Sequence, residues 1–211
     1  AKLEYFNFSG SIKDRMAYCI LKDAYEKGAI KPGDEIVEAT SGNTGIAFSA
    51  QGAFLGHKVN IFMPNWMSIE RVNLIKSLGA NIISVSHEQG GFTGSVQMSK
   101  DYEKEPGAFR PGPFENEANV KAHYTTTGPE IYEQMQKFGV VPDAFVSGVG
   151  TGGTIMGTGR YLKSKNPDIK IYPMEPISCP TMTNGGVGPH RGAGSSDEFV
   201  PPITHLDELD D

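Results

Sequence analysis

Apolar residues recur at helical spacing at Ile12, Met16, Cys19, Ile20 and Ala24, which predicts a helix over 11–27. Ser11 and Asp14 form an S-x-x-D pattern that predicts a capping box at its start, and Gly28 marks its stop. Ahead of it, Ala1–Tyr5 reads as the end of a strand. Glu35–Ala39 reads as a short strand, Thr44–Leu55 as a helix of small residues closed by Gly56, and Lys58–Met63 as a strand stopped by Pro64. Ser68–Ser77 predicts a helix capped by Ser68, with Ile69, Val72 and Ile75 inward. A strand at Asn81–Val85 and a helix at Thr93–Lys104 follow. Glu105–Pro113 then holds three prolines and two glycines and reads as a loop or a crossing between domains. Beyond it comes a helical stretch over 119–138, interrupted at Gly128–Pro129. A strand at Ala144–Val149, a helix at Thr154–Lys165 and a strand at Lys170–Met174 complete the pattern, and from Pro176 there is little periodicity. Strands separated by helices of this size imply βαβ units, hence an α/β chain with parallel sheets in two lobes that meet near 105–117. Two strands are too few to bury the helices of the second lobe, and the chain opens inside a strand. Both ends are therefore expected to be truncated.

Composition narrows the function. The 38% hydrophobic and 21% charged content is that of a folded globular chain. No apolar run is long enough to span a bilayer, so no membrane role is expected. A net charge of −6 argues against a general nucleic-acid binder. Cys19 and Cys179 form no CxxC pair, which disfavours a zinc ribbon or a disulfide framework and leaves a reduced, cytoplasmic setting as the expectation. The histidines at 57, 87, 123, 190 and 205 share no ligand spacing, so no metal is expected. Cys19 is assigned to the apolar core.

Three segments carry candidate chemistry. Lys13 falls in the first turn of a helix, where the macrodipole disfavours a cation and favours the neutral amine that Schiff-base chemistry uses. A solvated lysine paired with Asp14 is the alternative. Thr40-Ser41-Gly42-Asn43-Thr44-Gly45 runs from strand to helix and gathers free N–H groups, three hydroxyls and an amide. That suits a small carboxylate or phosphate, the alternative being an ordinary capped turn. Gly148-Val149-Gly150-Thr151-Gly152-Gly153-Thr154 can wrap a phosphate with backbone N–H donors. It lacks the Gly-Lys-Ser/Thr ending of a nucleotide loop. Gly148, Gly150 and Gly153 do match G-x-G-x-x-G, however, and Glu175 lies 22 residues past Gly153, so a dinucleotide-binding Rossmann enzyme is a rival.

Together and in this order, these segments resemble the cysteine synthase (O-acetylserine sulfhydrylase) and cystathionine β-synthase family. Lys2–Asn7 with Ser11–Arg15 is similar to the family's lysine segment, and Glu38–Gly45 to its substrate loop. Met63-Pro64, Met67–Arg71, Leu78–Ala80, Thr126–Ile131 and Gly148–Thr154 extend the likeness from residue 1 to about residue 208. The resemblance implies a tryptophan-synthase-β-like α/β fold, fold type II among pyridoxal-phosphate enzymes. Its smaller lobe would span 8–116 and a partial larger lobe 1–7 and 117–211. Lys13 would carry pyridoxal 5'-phosphate as a Schiff base and act as acid and base at the substrate Cα. Asn43 would bond the ring hydroxyl, while Thr40, Ser41, Gly42 and Thr44 would hold the amino-acid carboxylate. Gly150, Thr151, Gly152, Gly153 and Thr154 would cradle the phosphate. The implied reaction is β-replacement, in which O-acetylserine loses acetate and sulfide adds to give cysteine, with the cofactor as electron sink. A homodimer and a serine acetyltransferase partner are implied too. A truncated relative that serves as a scaffold for a partner's tail is the non-catalytic alternative. The sequence departs from the family at Phe8-Ser9, in place of a small pair, and at Gly192–Ser196, in place of a run leading to a Gly-Ile motif. It also has Pro113 where the family places a glutamine that helps bind the substrate carboxylate.

Overall fold

Glu4 decides the shape of the N-terminal segment. Its carboxylate takes both Arg15 Nε, at 2.7 Å, and Arg15 Nη2, at 2.9 Å, and it accepts from Asn7 Nδ2 at 2.7 Å. The backbone curls around this group as a 3-10 turn at Glu4–Phe6, where a strand end was expected. The structure, a computed structural model, describes every residue except Ser41, Ala193, Asp197, Glu198 and Asp211. The chain forms two units, one over Leu3–Gly112 and one over Pro113–Asp211.

In the first unit, helix α1 (Lys13–Glu26) precedes strand β1 (Glu35–Ala39), helix α2 (Asn43–Leu55), strand β2 (Lys58–Pro64), helix α3 (Ile69–Ser77), strand β3 (Asn81–Val85) and helix α4 (Gly91–Tyr102). Strand β4 (Ala108–Phe109) lies in the proline-rich stretch that reads as loop in the sequence. All pairings are parallel, in the order β3-β2-β1-β4, with Glu35 opposite both Lys58 and Ala108. The alternation along the strands covers both faces. Val37, Ala39 and Phe62 join Val85 in a core with Val96 and Met98 of α4. On the other face α2 comes so close that a Cβ on Gly52 would lie 2.4 Å from Val59 Cγ2. That helix is buried from Thr44 to Ala50, which fits its run of small residues.

The capping box does not form. Ile12 is the N-cap of α1, Ser11 Oγ accepts from Lys13 N–H, and Asp14 reaches back past Ser11 to Ser9. Ser68 is the N-cap of α3 by backbone conformation, but its side chain makes no capping bond. Only Ile75 of the expected inner face of α3 is buried, and Ile69 is exposed, because this helix packs on α2 and the edge strand β3. Cys19 is only partly buried rather than in the core.

The second unit opens with helix α5 (Glu117–Ala122), which runs through a π turn at His123–Thr127 into helix α6 (Gly128–Gln136). Gly128–Pro129 therefore does not interrupt the helix. The proline stands at the start of α6, where the wider π turn before it accommodates the missing N–H. Gly128 allows close packing, since a Cβ there would lie 2.6 Å from Tyr161 Cβ. Strand β5 (Ala144–Gly148), helix α7 (Gly153–Lys165) and strand β6 (Lys170–Met174) form one parallel βαβ unit, followed by the short helix α8 (Thr181–Asn184). Val120, Ile155, Met156, Leu162, Ile171 and Ile203 are among the residues that build its core. Asp210 lies against β6: its N–H donates to the Ile171 carbonyl, and its carboxylate accepts from Ile171 N–H, Lys163 and Lys170. These bonds, led by the one from the Ile171 N–H, hold its pKa well below the ordinary aspartate range. Among the described residues no helix is long and apolar enough to cross a membrane.

Candidate functional site

Lys13 is the first residue of α1, and side chains rather than a capping box fix its turn. Buried Asp14 accepts from the N–H and the hydroxyl of Ser9, both at 2.6 Å. From α2, Gln51 Nε2 donates to the Asp14 carbonyl at 2.9 Å. The helix that holds the lysine turn is also the helix that the Thr40–Thr44 loop opens, so one rigid element ties the two together.

In that loop, Thr40 N–H donates to the Phe62 carbonyl at 3.1 Å and Thr40 Oγ1 accepts from Gly42 N–H at 3.4 Å. The Thr40 methyl faces Gly45, where a Cβ would lie 2.8 Å away. Thr40 and Thr44 are buried, Asn43 is exposed at the first position of α2, and Ser41 lies outside the described residues. The first N–H groups of a helix lack intrahelical acceptors, and an anion at this end gains from them and from the helix dipole.

Two residues before the loop sits Glu38, which reads in the sequence only as part of a motif. It is 3% exposed in the central strand β1. Oε1 accepts from Ala39 N–H and Oε2 from Gly112 N–H, each at 2.9 Å. Burial pushes its carboxyl up to about 7, against the two N–H groups and the charge of Arg110.

In the second unit the loop from Gly150 to Thr154 crosses into α7, with Gly152 as N-cap at φ +87. Three of its glycines face polar atoms at the place a Cβ would fill. These are the Gly194 carbonyl oxygen 2.5 Å from Gly150, buried Thr204 Oγ1 2.0 Å from Gly152, and Asn119 Oδ1 1.9 Å from Gly153. A side chain at any of them would force its neighbour to move, and at Gly150 that neighbour is backbone. Asn119 Nδ2 donates to the Pro113 carbonyl and to Thr151 Oγ1, both at 2.8 Å. His123 places Nδ1 2.9 Å from Thr127 Oγ1 and Nε2 3.3 Å from Thr154 Oγ1. Asn119, His123 and Thr127 are all buried. Their four-residue spacing makes a buried polar row on the helix, a signal the sequence contains, since all three lie before Gly128.

Glu175, required by the dinucleotide alternative, is tied to the start of α8. Its carboxylate accepts from Met182 N–H, Thr183 N–H and Thr183 Oγ1 at 2.6 to 3.0 Å. Burial raises its pKa, but these bonds outweigh it and hold the group below the usual glutamate range. A ribose contact would have to break them. Among the described residues no group of three His, Cys, Asp or Glu is placed to hold a metal ion.

Known proteins are similar to this chain across its whole length. A probable cysteine synthase of Bacillus subtilis is 43% identical over 211 residues, which cover 100% of this chain and 68% of that protein. A cysteine synthase of Staphylococcus aureus is 44% identical over 209 residues, which cover 99% and 66%. The crystal structure of a hydrogen sulfide-producing enzyme from Fusobacterium nucleatum is 53% identical, with a TM-score of 0.97 over 100% of this chain and 64% of that one. The chain thus spans about two thirds of the length of these relatives. The fold with its two parallel sheets is that of fold type II, as the resemblance implied. The family model for pyridoxal-phosphate dependent enzymes matches residues 1–209, and with these relatives across its whole length the chain belongs to that family.

Proposed function

We propose that the protein is a cysteine synthase, using pyridoxal phosphate to exchange the β-substituent of O-acetylserine for sulfide. The observation that carries this reading is the Gln51 bond, by which the helix that starts at the hydroxyl loop holds the turn of Lys13. The cradle in the second unit suits a phosphate, because it opens the start of α7, whose first N–H groups lack intrahelical acceptors, and the Thr151 and Thr154 hydroxyls border it. Lys13 holds the cofactor through its amine and carries the proton at the substrate Cα. Thr40, Ser41, Gly42 and Thr44 hold the substrate carboxylate, Asn43 meets the ring hydroxyl, and Gly150–Thr154 take the phosphate. The bound cofactor supplies the electron sink. A second reading follows from the 53% identity to the hydrogen sulfide-producing enzyme, in which the same site releases sulfide from cysteine instead of consuming it. One experiment tests both. Purified holoprotein is given O-acetylserine with sulfide and cysteine is measured; separately it is given cysteine and sulfide is measured. The faster reaction assigns the physiological direction, and inactivity in both with cofactor bound refutes both readings.

A further inference from the structure

We propose that Asn119 and His123 are positioning residues for the cofactor phosphate, donating to the hydroxyl oxygens of Thr151 and Thr154 so that both hydroxyl protons turn toward it. The inference rests on reading Gly150–Thr154 as the phosphate loop. A threonine hydroxyl has one proton and two lone pairs. If a neighbouring group accepts that proton, only lone pairs face the loop, and they repel an anion. If the neighbour donates instead, the proton is free for the anion.

The second partner fixes the Asn119 amide, and for His123 it permits the tautomer that the proposal requires. Asn119 Nδ2 also lies 2.8 Å from the Pro113 carbonyl, which can only accept, so the atom toward Thr151 is the donating amide nitrogen. For His123 the second partner is Thr127 Oγ1, 2.9 Å from Nδ1. A hydroxyl can give its proton to a bare Nδ1, which leaves the ring proton on Nε2, facing Thr154. His57 shows the opposite case. Its Nδ1 lies 2.8 Å from the Asp34 carbonyl and must carry the proton, while its Nε2 takes the Tyr25 hydroxyl at 2.6 Å. With the ring 2% exposed, water does not compete for His123. The π turn brings Thr127 to the ring, a use of π geometry common at functional sites. The resulting chain, from Thr127 through His123 to Thr154, is polarised in one direction, and aligned bonds of this kind reinforce each other.

Two measurements test this on the holoprotein. In the first, 15N NMR of labelled histidine reads the His123 ring, which is expected to show a protonated Nε2 and a bare Nδ1. The second titrates pyridoxal phosphate into the apoprotein. H123L is expected to weaken binding about tenfold, the range for a bond to a charged group. H123Q, which keeps a donor, is expected to bind as the wild type does. In a T154V background, H123L is expected to change affinity by less than about twofold, since additivity fails where residues share one interaction. A bare Nε2, or an equal loss from H123L with and without the Thr154 hydroxyl, overturns the proposal while leaving the functional reading intact. Wild-type protein that takes up no cofactor overturns both.

Discussion

Replacing Glu38 with glutamine should remove a specific pH dependence of folding. The carboxyl is 3% exposed and is pushed from an ordinary value of 4.5 up to about 7 by burial. Its neighbours are the N–H groups of Ala39 and Gly112 and the charges of Arg110 and Glu103. Between 4.5 and about 7 the folded protein binds a proton that the unfolded chain has lost, so stability falls as pH rises through this window. At about 1.4 kcal/mol per pH unit, the fall amounts to about 3 kcal/mol. Glu38→Gln cannot ionise. Its amide would also turn an NH2 toward one of the two N–H donors, a loss of about 1–3 kcal/mol that does not depend on pH. The assay is chemical denaturation of both proteins across the acid-to-neutral range. The difference, wild type minus variant, cancels every other titration and should descend by about 3 kcal/mol with rising pH. A difference that stays flat, or climbs, would show that Glu38 titrates at an ordinary value and that burial does not govern it.

Other substitutions address the site. Lys13→Ala should abolish covalent fixation of pyridoxal phosphate by borohydride, read by peptide mass, and label found on another lysine would refute the assignment. Gly152→Asp should release the cofactor, because φ is +87, a Cβ would sit 2.0 Å from buried Thr204 Oγ1, and a carboxylate would repel the phosphate; undiminished absorbance of bound cofactor would contradict this. Pro113→Gln should tighten O-acetylserine binding by about ten- to hundredfold, the value of one bond to a carboxylate, and an unchanged affinity in titration would show that position 113 does not reach the substrate. Gly128→Ala should destabilise by about 1–3 kcal/mol through contact with Tyr161, measured by thermal unfolding, and a rise in stability would mean that α6 can move away.

The strands were legible in the sequence where apolar runs are bounded by turn residues, as at Glu35–Ala39 and Lys170–Met174. The N-terminal segment reads as a strand because Lys2, Leu3, Glu4 and Tyr5 alternate like a half-buried one, whereas the pair of Glu4 with Arg15 curls it. Such a pair lies eleven residues apart and leaves no periodic trace. The Ser11–Asp14 pattern had the residues of a capping box, yet the competing donor Ser9 took the carboxylate. The hydroxyl loop and the glycine loop stood out by composition. Glu38 did not, because a glutamate in a strand suggests a solvent face, and only the neighbours β2 and β4 on either side make β1 central. Asn119, His123 and Thr127 stand at four-residue spacing, but polar residues so spaced mark a solvent face as readily as a buried one, and only packing on α7 buries them. The row they form crosses into the π turn.

The π turn at His123–Thr127 also has consequences for insertions and deletions. A helix with one π turn holds one residue more than a regular helix between the same ends. Loss of one residue there would restore regular winding between the same ends, so Gly128 would stay in place against Tyr161, where no Cβ fits. A further residue added there, if not absorbed, would rotate α6 by about 100° and bring another residue to that contact. The stretch can therefore lose one residue without moving α6 but not gain one. Among homologous sequences, single-residue gaps within 123–127 should accompany a regular helix, and insertions should fall in surface turns such as 86–90.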